Sequence, residues 1–181
     1  MLALPEMFIT VYQTQVFGLK KAFVEEAEHE IKNIAAHCSK GPAIGIGHPL
    51  SRDGNLYNAY SILRDGRILV SILKQTLPNN GVFDEKRLFS SGPLNGPYCL
   101  DNLRIGSPIC EDAWFPDVPE ALAETGAELL LVPNGSPYSR SKHEIRLNTM
   151  ISRVVETNLP LIYLNMVGGQ DDQVFDGGSF I

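Results

Sequence analysis

Apolar and polar positions along the chain change their period several times, and each change marks an element. Over residues 20–39 the apolar positions Phe23, Ala27, Ile31, Ile34, Ala35 and Cys38 recur every three or four residues, with Glu25, Glu26, Glu28, Glu30 and Lys32 between them. This is the helical period with one buried stripe, and Gly41-Pro42 stops it. Cys38 lies on the stripe and reads as core. Residues 43–46 form a short apolar run, followed by Gly-His-Pro, which places His48 in a turn. Residues 57–63 and 67–73 are β-prone runs around Arg64-Asp65-Gly66, the signature of a hairpin. Residues 74–100 lack a period and hold six Pro and Gly positions, Pro78, Gly81, Gly92, Pro93, Gly96 and Pro97, so they read as a long functional loop.

The second half alternates. Residues 103–109 predict a strand, 117–125 a helix stopped by Gly126, and 129–132 a buried strand. Residues 142–157 predict a helix with Leu147, Met150, Ile151, Val154 and Val155 on its inner side, and 161–165 another buried strand. That order implies parallel pairing with right-handed crossovers. Residues 173–176 and 179–181 flank Gly177-Gly178 and predict a closing hairpin.

The chain has 181 residues, 21 acidic against 15 basic, and a formal charge of -6. The length suits one domain over 1–181. The acidic balance argues against a general nucleic-acid binder or an anionic-membrane binder. No apolar run approaches the ~20 residues that span a bilayer, and the N-terminal residues do not read as a signal peptide. The three cysteines and four histidines have no metal-ligand spacing, so no metal is expected, and a reducing cytoplasm is the expected compartment.

Cys110 falls in Pro108-Ile109-Cys110-Glu111-Asp112, at the junction of a predicted strand and a helix-bearing segment. A thiol there is placed for activation by backbone N–H groups, although a buried strand-end cysteine fits the same position. A nucleophilic thiol needs a base. None of His29, His37, His48 and His143 has an obvious orienting acid beside it, and a Cys–His pairing stays open. Glu6 follows a short apolar run, Leu2-Ala3-Leu4, and Lys74 directly follows residues 67–73. Delivered to one sheet edge, carboxylate and ammonium would serve as base and oxyanion partner; solvated strand-end charges fit the spacing equally.

The segments Leu4-Pro5-Glu6-Met7-Phe8, residues 74–85 with Gly81-Val82-Phe83-Asp84-Glu85, and Pro108 to Trp114 resemble the three catalytic segments of the nitrilase superfamily, in that family's order. A finer resemblance, to the glutamine-hydrolysing domains of bacterial glutamine-dependent NAD synthetases, is carried by residues 79–87, 110–118, 132–138, 153–157 and 167–171. It covers essentially the whole chain. The resemblance implies an α/β fold, a nitrilase-like α-β-β-α sandwich of mixed sheets, cut at both ends. It implies Cys110 as nucleophile, Glu6 as general base, and Lys74 with the Glu111 backbone N–H as oxyanion holders. Glu85 would support the lysine and orient substrate, and Ser136 and Lys142 would bind the amino-acid end of glutamine, an ammonium there suiting a carboxylate. Three positions depart from the family's habit: Asn80 where an aromatic contacts the glutamine, Val11 where a glycine is common, and Met166 where a glutamine is common.

No Ser-Gly-Gly-x-Asp-Ser or other phosphate loop occurs, so ATP and Mg are expected only for a synthetase domain absent from these residues. The implied function is hydrolysis of glutamine through a thioester, with ammonia passed to that partner domain and no cofactor in this one. The family's habit also implies a homo-oligomer. Two alternatives stand beside it: a stand-alone amidase on another small amide, and a folded or half-folded fragment without activity.

Overall fold

Two Asp-Gly pairs set the first half of the fold. In the computed structural model, which describes residues 1–12, 20–79, 81 and 83–181, Asp53 and Gly54 have φ of 52° and 78°, and Asp65 and Gly66 have 52° and 79°. Two successive left-handed residues match the twist of paired strands, so each pair closes a two-residue hairpin. The strands so joined are β2 (Ile44–Arg52), β3 (Asn55–Arg64) and β4 (Arg67–Leu73), and a short β1 (Leu2–Ala3) runs parallel to β2. The order is β1-β2-β3-β4. The strand expected at 43–46 therefore runs six residues further, and His48 is a strand residue, not a turn residue. Pro49 is accommodated because β1 reaches only Ile44 and Gly45, so no ladder on that side needs its missing N–H.

Helix α1 (Lys21–His37) buries Val24, Ala27, Ile31 and Ala35. Ile31 and Ala35 pack on Ile44, Ile46 and Leu63, with Ile34 and Cys38 half-buried at the edge of the same cluster. Strand side chains alternate, so the opposite sheet face carries Gly45, Gly47, Asn58 and Tyr60. The expected loop at 74–100 contains a one-turn helix α2 (Glu85–Leu88) and strand β5 (Tyr98–Leu100).

Met1–Pro93 and Leu94–Ile181 are two compact units. In the second, β5 pairs antiparallel with β6 (Leu103–Gly106), and β6, β7 (Leu129–Asn134) and β8 (Leu161–Asn165) run parallel. Helices α3 (Asp117–Glu124) and α4 (Lys142–Thr157) make the two crossovers, as the alternating pattern predicts. Their shared core is Val118, Leu122, Leu130, Val132, Met150, Leu161 and Tyr163, among others. Strand β6 ends at Gly106, three residues before the expected 109.

Two expectations fail here. Helix α4 has the expected ends but turns another face inward: Arg146, Met150 and Arg153 are buried, whereas Leu147, Ile151, Val154 and Val155 are exposed. Two arginines can face inward because their guanidinium groups find backbone carbonyls and acids, namely Ser136, Pro137 and Asp176 for Arg146, and Trp114 and Glu156 for Arg153. The closing hairpin pairs β9 (Val167–Gln170) with β10 (Gln173–Asp176) around Asp171, with φ of 51°. Gly177 and Gly178, at φ of 65° and 68°, instead bend the chain so that Phe180 bridges to Tyr163 and stacks on its ring at 4.8 Å.

His48 is 1% exposed. Its Nδ1 lies 2.8 Å from the Pro49 carbonyl and its Nε2 2.7 Å from Ser61 Oγ, which lies 2.7 Å from Ser71 Oγ. A carbonyl only accepts, so Nδ1 carries the proton, Nε2 accepts from Ser61, and Ser61 accepts from Ser71. Burial lowers the His48 pKa to about 4, outweighing the Pro49 carbonyl, which acts the other way. The unfolded chain thus binds the extra proton first, and stability falls as pH drops from about 6.5 towards 4. Over pH 7 to 4 the native protein should lose about 3 kcal/mol relative to His48→Gln in urea unfolding, and parallel pH curves would contradict this assignment.

Candidate active site

Glu6 reaches the sheet because β2 has no side chain in its way. A Cβ on Gly47 would stand 2.1 Å from the Met7 nitrogen and 2.6 Å from the Glu6 carbonyl carbon, so only glycine lets the segment after β1 cross here. The crossing is pinned by Gly47 N–H to Pro5 O at 3.2 Å and Ile9 N–H to Gly47 O at 3.2 Å. Val11, further along, has φ of 60°. A β-branched residue is rarely found in that region, which glycine enters freely, so the glycine that the resemblance leads one to expect here would be less strained.

Lys74 is the first residue after β4, held by its N–H to Asn58 O at 2.9 Å and its carbonyl to Gly92 N–H at 2.8 Å. Its Nζ is 2.8 Å from Glu6 Oε1 and 2.8 Å from Glu85 Oε1. Glu6 and Lys74 are 0% exposed and Glu85 is 4% exposed. The solvated reading of these charges is therefore excluded. Asn58 Nδ2 donates to Glu6 Oε1 at 2.8 Å, and Tyr12 Oη donates to Glu85 Oε1. Burial raises the Glu85 pKa and the Glu6 charge adds to the rise, while Lys74 and the Tyr12 hydroxyl oppose it. Such an array presents a carboxylate and an ammonium in fixed positions away from water, the equipment for taking a proton and holding an oxyanion.

The thiol belongs to the second unit. After β6, Ser107-Pro108-Ile109 leads into a 3-10 turn, Cys110–Ala113, whose start is fixed by Ile109 N–H to Asp112 Oδ2 at 3.1 Å. Cys110 opens that turn with φ of 46° and is 4% exposed. A positive φ at a buried non-glycine residue costs energy and persists where the surroundings enforce it, often at a reactive side chain. Cys110, Ser136 and Asn165 all lie at or beyond the carboxyl ends of the parallel strands β6, β7 and β8, where open α/β sheets bind ligands.

Ser136 is buried, with its N–H on Asn165 Oδ1 at 2.9 Å. Lys142 Nζ sits 4.3 Å from the Trp114 ring centroid, a cation–π contact that holds this ammonium beside the turn following Cys110. Glu111 is half-buried in the same turn. Asn80 lies outside the described residues. Met166 is buried, its N–H donating to Asn134 O at 3.2 Å. The structure thus gathers Glu6, Lys74 and Glu85 in the first unit, and sets Cys110, Glu111, Ser136 and Lys142 in the second. Sequence reasoning missed Asn58, Tyr12, Arg146 and Asn165; for Asn58 the signal was an amide in the middle of a β-prone run. Among the described residues, no group of three or more His, Cys, Asp and Glu could hold a metal ion, and no helix is long and apolar enough to cross a membrane.

The carbon-nitrogen hydrolase family profile matches residues 1–181. The chain belongs to the carbon-nitrogen hydrolase family. It is 54% identical over 181 residues to a glutamine-dependent NAD(+) synthetase of Rhodobacter capsulatus, covering 100% of this chain and 33% of that protein. The solved glutamine-dependent NAD+ synthetase of Acinetobacter baumannii superposes with a TM-score of 0.89 at 31% identity, covering 98% of this chain and 34% of that one. An amidase of the nitrilase superfamily from Nesterenkonia AN1 superposes with a TM-score of 0.80 at 26% identity, over 98% of this chain and 67% of that one. The fold is the nitrilase-like one that the motifs implied, and the chain spans about a third of the length of these synthetase relatives.

Two buried carboxylates share one ammonium, so its removal should be costly. Lys74→Met should destabilise the protein by about 3–5 kcal/mol. Adding Glu85→Gln should recover part of that loss, which urea unfolding of the single and double variants measures. A double variant less stable than Lys74→Met would contradict the shared-charge account.

Proposed function

We propose that this chain hydrolyses the side-chain amide of glutamine and releases ammonia. The observation that carries the reading is the fully buried Lys74 ammonium at 2.8 Å from each of two carboxylates, in a member of this family whose Cys110 opens a strained turn. In this mechanism Glu6 takes the Cys110 proton and the thiolate attacks the amide carbon. Lys74 and the Glu111 N–H stabilise the oxyanion, and Glu6 returns the proton to the departing ammonia. Water, deprotonated by Glu6, then cleaves the glutamyl thioester to glutamate and free thiol. Glu85 keeps Lys74 in place, and Ser136 and Lys142 receive the carboxylate of the amino-acid end.

The ammonia would feed a synthetase domain making NAD, as the names of the similar synthetases suggest, and that domain would use ATP and Mg in the cytoplasm. The hydrolysis itself needs no cofactor. The exposed apolar residues Leu147, Ile151, Val154 and Val155 on α4 suit a homo-oligomer.

Ammonia release from glutamine, asparagine and acetamide tests the reading. Glutamine should be the preferred substrate, Cys110→Ala should abolish release, and Lys74→Met should reduce it by about 100-fold or more. Preference for acetamide would favour the stand-alone amidase instead, and release that survives Cys110→Ala would overturn both.

A further inference from the structure

Arg146 is 0% exposed and donates to four acceptors. Its Nη2 reaches the carbonyls of Ser136 at 2.8 Å and Pro137 at 2.9 Å, and its Nη1 reaches Asp176 Oδ1 at 2.8 Å. Those three bonds tie α4 to the segment after β7 and to β10, and would hold the segment by themselves. The fourth does something else: Nε donates to the side-chain Oγ of Ser136 at 3.1 Å. A guanidinium has no acceptor, so the serine oxygen must accept, and its own hydrogen must point away from Arg146.

The other polar groups of Ser136 are spoken for. Its N–H donates to Asn165 Oδ1 at 2.9 Å, and its carbonyl also accepts from Asn165 Nδ2 at 3.1 Å. Among the described residues its hydroxyl hydrogen has no acceptor within hydrogen-bond distance, although the residue is 3% exposed. A buried hydroxyl polarised by a cation on one side and without an acceptor on the other is a donor waiting for one. We infer that Arg146 is a positioning residue: it fixes the Ser136 hydroxyl as a hydrogen-bond donor to the carboxylate end of the substrate, and so selects amides that carry one. The inference rests on the glutamine-hydrolysing reading above.

Glutamine binding to Cys110→Ala protein, followed by calorimetry, tests it. Ser136→Ala and Arg146→Lys should each weaken binding about 10-fold, the value of one hydrogen bond to a charged group. Lysine keeps a cation for Asp176 and the carbonyls but places no Nε at the hydroxyl. Combining the two should weaken binding no further than either alone. Asp176→Asn, which disturbs the scaffold and not the Nε bond, should lower the melting temperature with glutamine affinity within about 2-fold. Binding of 4-aminobutanamide, glutamine without its carboxylate, should be unchanged by Ser136→Ala and Arg146→Lys.

A Ser136→Ala loss that persists in the Arg146→Lys background would overturn the inference and leave the glutamine reading intact, and so would an equal loss of 4-aminobutanamide affinity. No glutamine binding to Cys110→Ala, together with no ammonia release by the unaltered chain, would overturn the reading itself.

Discussion

The ammonium of Lys74 is the constraint around which the first unit is arranged. A buried cation is tolerated only when its charge is matched and its donors are occupied, and Lys74 meets this with Oε1 of Glu6 and Oε1 of Glu85, each at 2.8 Å. Glu6 comes from the segment after β1, Lys74 from the end of β4, and Glu85 from the start of a one-turn helix. Three separate pieces of chain must therefore be fixed before these charges meet. The hairpins at Asp53-Gly54 and Asp65-Gly66 fix the sheet, Gly47 opens the way for Glu6, and Gly92 holds the Lys74 carbonyl. The arrangement carries two carboxylates for one ammonium. Burial raises the Glu85 pKa and the second carboxylate, Glu6, adds to the rise, while Asn58 and Tyr12 supply neutral donors to the pair.

The second unit solves a different problem, the presentation of a thiol. Strands β7 and β8 end in asparagines whose bonds run sideways: Asn134 to the carbonyls of Val132 and Leu164, Asn165 to those of Ser136 and Gly177. These bonds fix the carboxyl ends of β7 and β8, and beyond the end of β6 Cys110 holds a positive φ of its own. Arg146 and Arg153 extend the same strategy from α4, using guanidinium groups where an apolar helix face would supply only packing.

Some of this was legible in the sequence and some was not, for physical reasons. The period of three and four in α1 and the Asp65-Gly66 turn are local signals, and both elements formed where they pointed. Asp53-Gly54 carries the same signal, but Pro49 and His48 before it imitate a turn, since a proline inside a strand is admissible only where a neighbour strand has ended. The inward face of α4 was misread because arginine counts as polar in any periodicity, although four acceptors let Arg146 be buried completely. Gly177-Gly178 gave the right conformation and the wrong role. At the candidate site, strand-end positions raised Cys110, Glu6 and Lys74 only as open possibilities, and family resemblance was needed to choose them and to add Glu85. A contact between residues 68 positions apart leaves no period to detect. Tyr12 was missed because one polar side chain in a loop carries no pattern of its own, and the amide of Asn58 in a β-prone run marks a polar position without naming its partner.

If Cys110 is the nucleophile with Glu6 as its base, a glutamine-like electrophile should find it by recognition and not by access. Cys99 is exposed, Cys38 is half-buried, and Cys110 is buried. The most direct test is to treat the protein with 6-diazo-5-oxo-norleucine, an electrophile shaped like glutamine, and to map the modified cysteine by peptide mass spectrometry. The expected result is an adduct on Cys110, lost in Glu6→Gln, with Cys99 and Cys38 unmodified. Modification of Cys99 in preference to Cys110, or an adduct on Cys110 indifferent to Glu6, would contradict it.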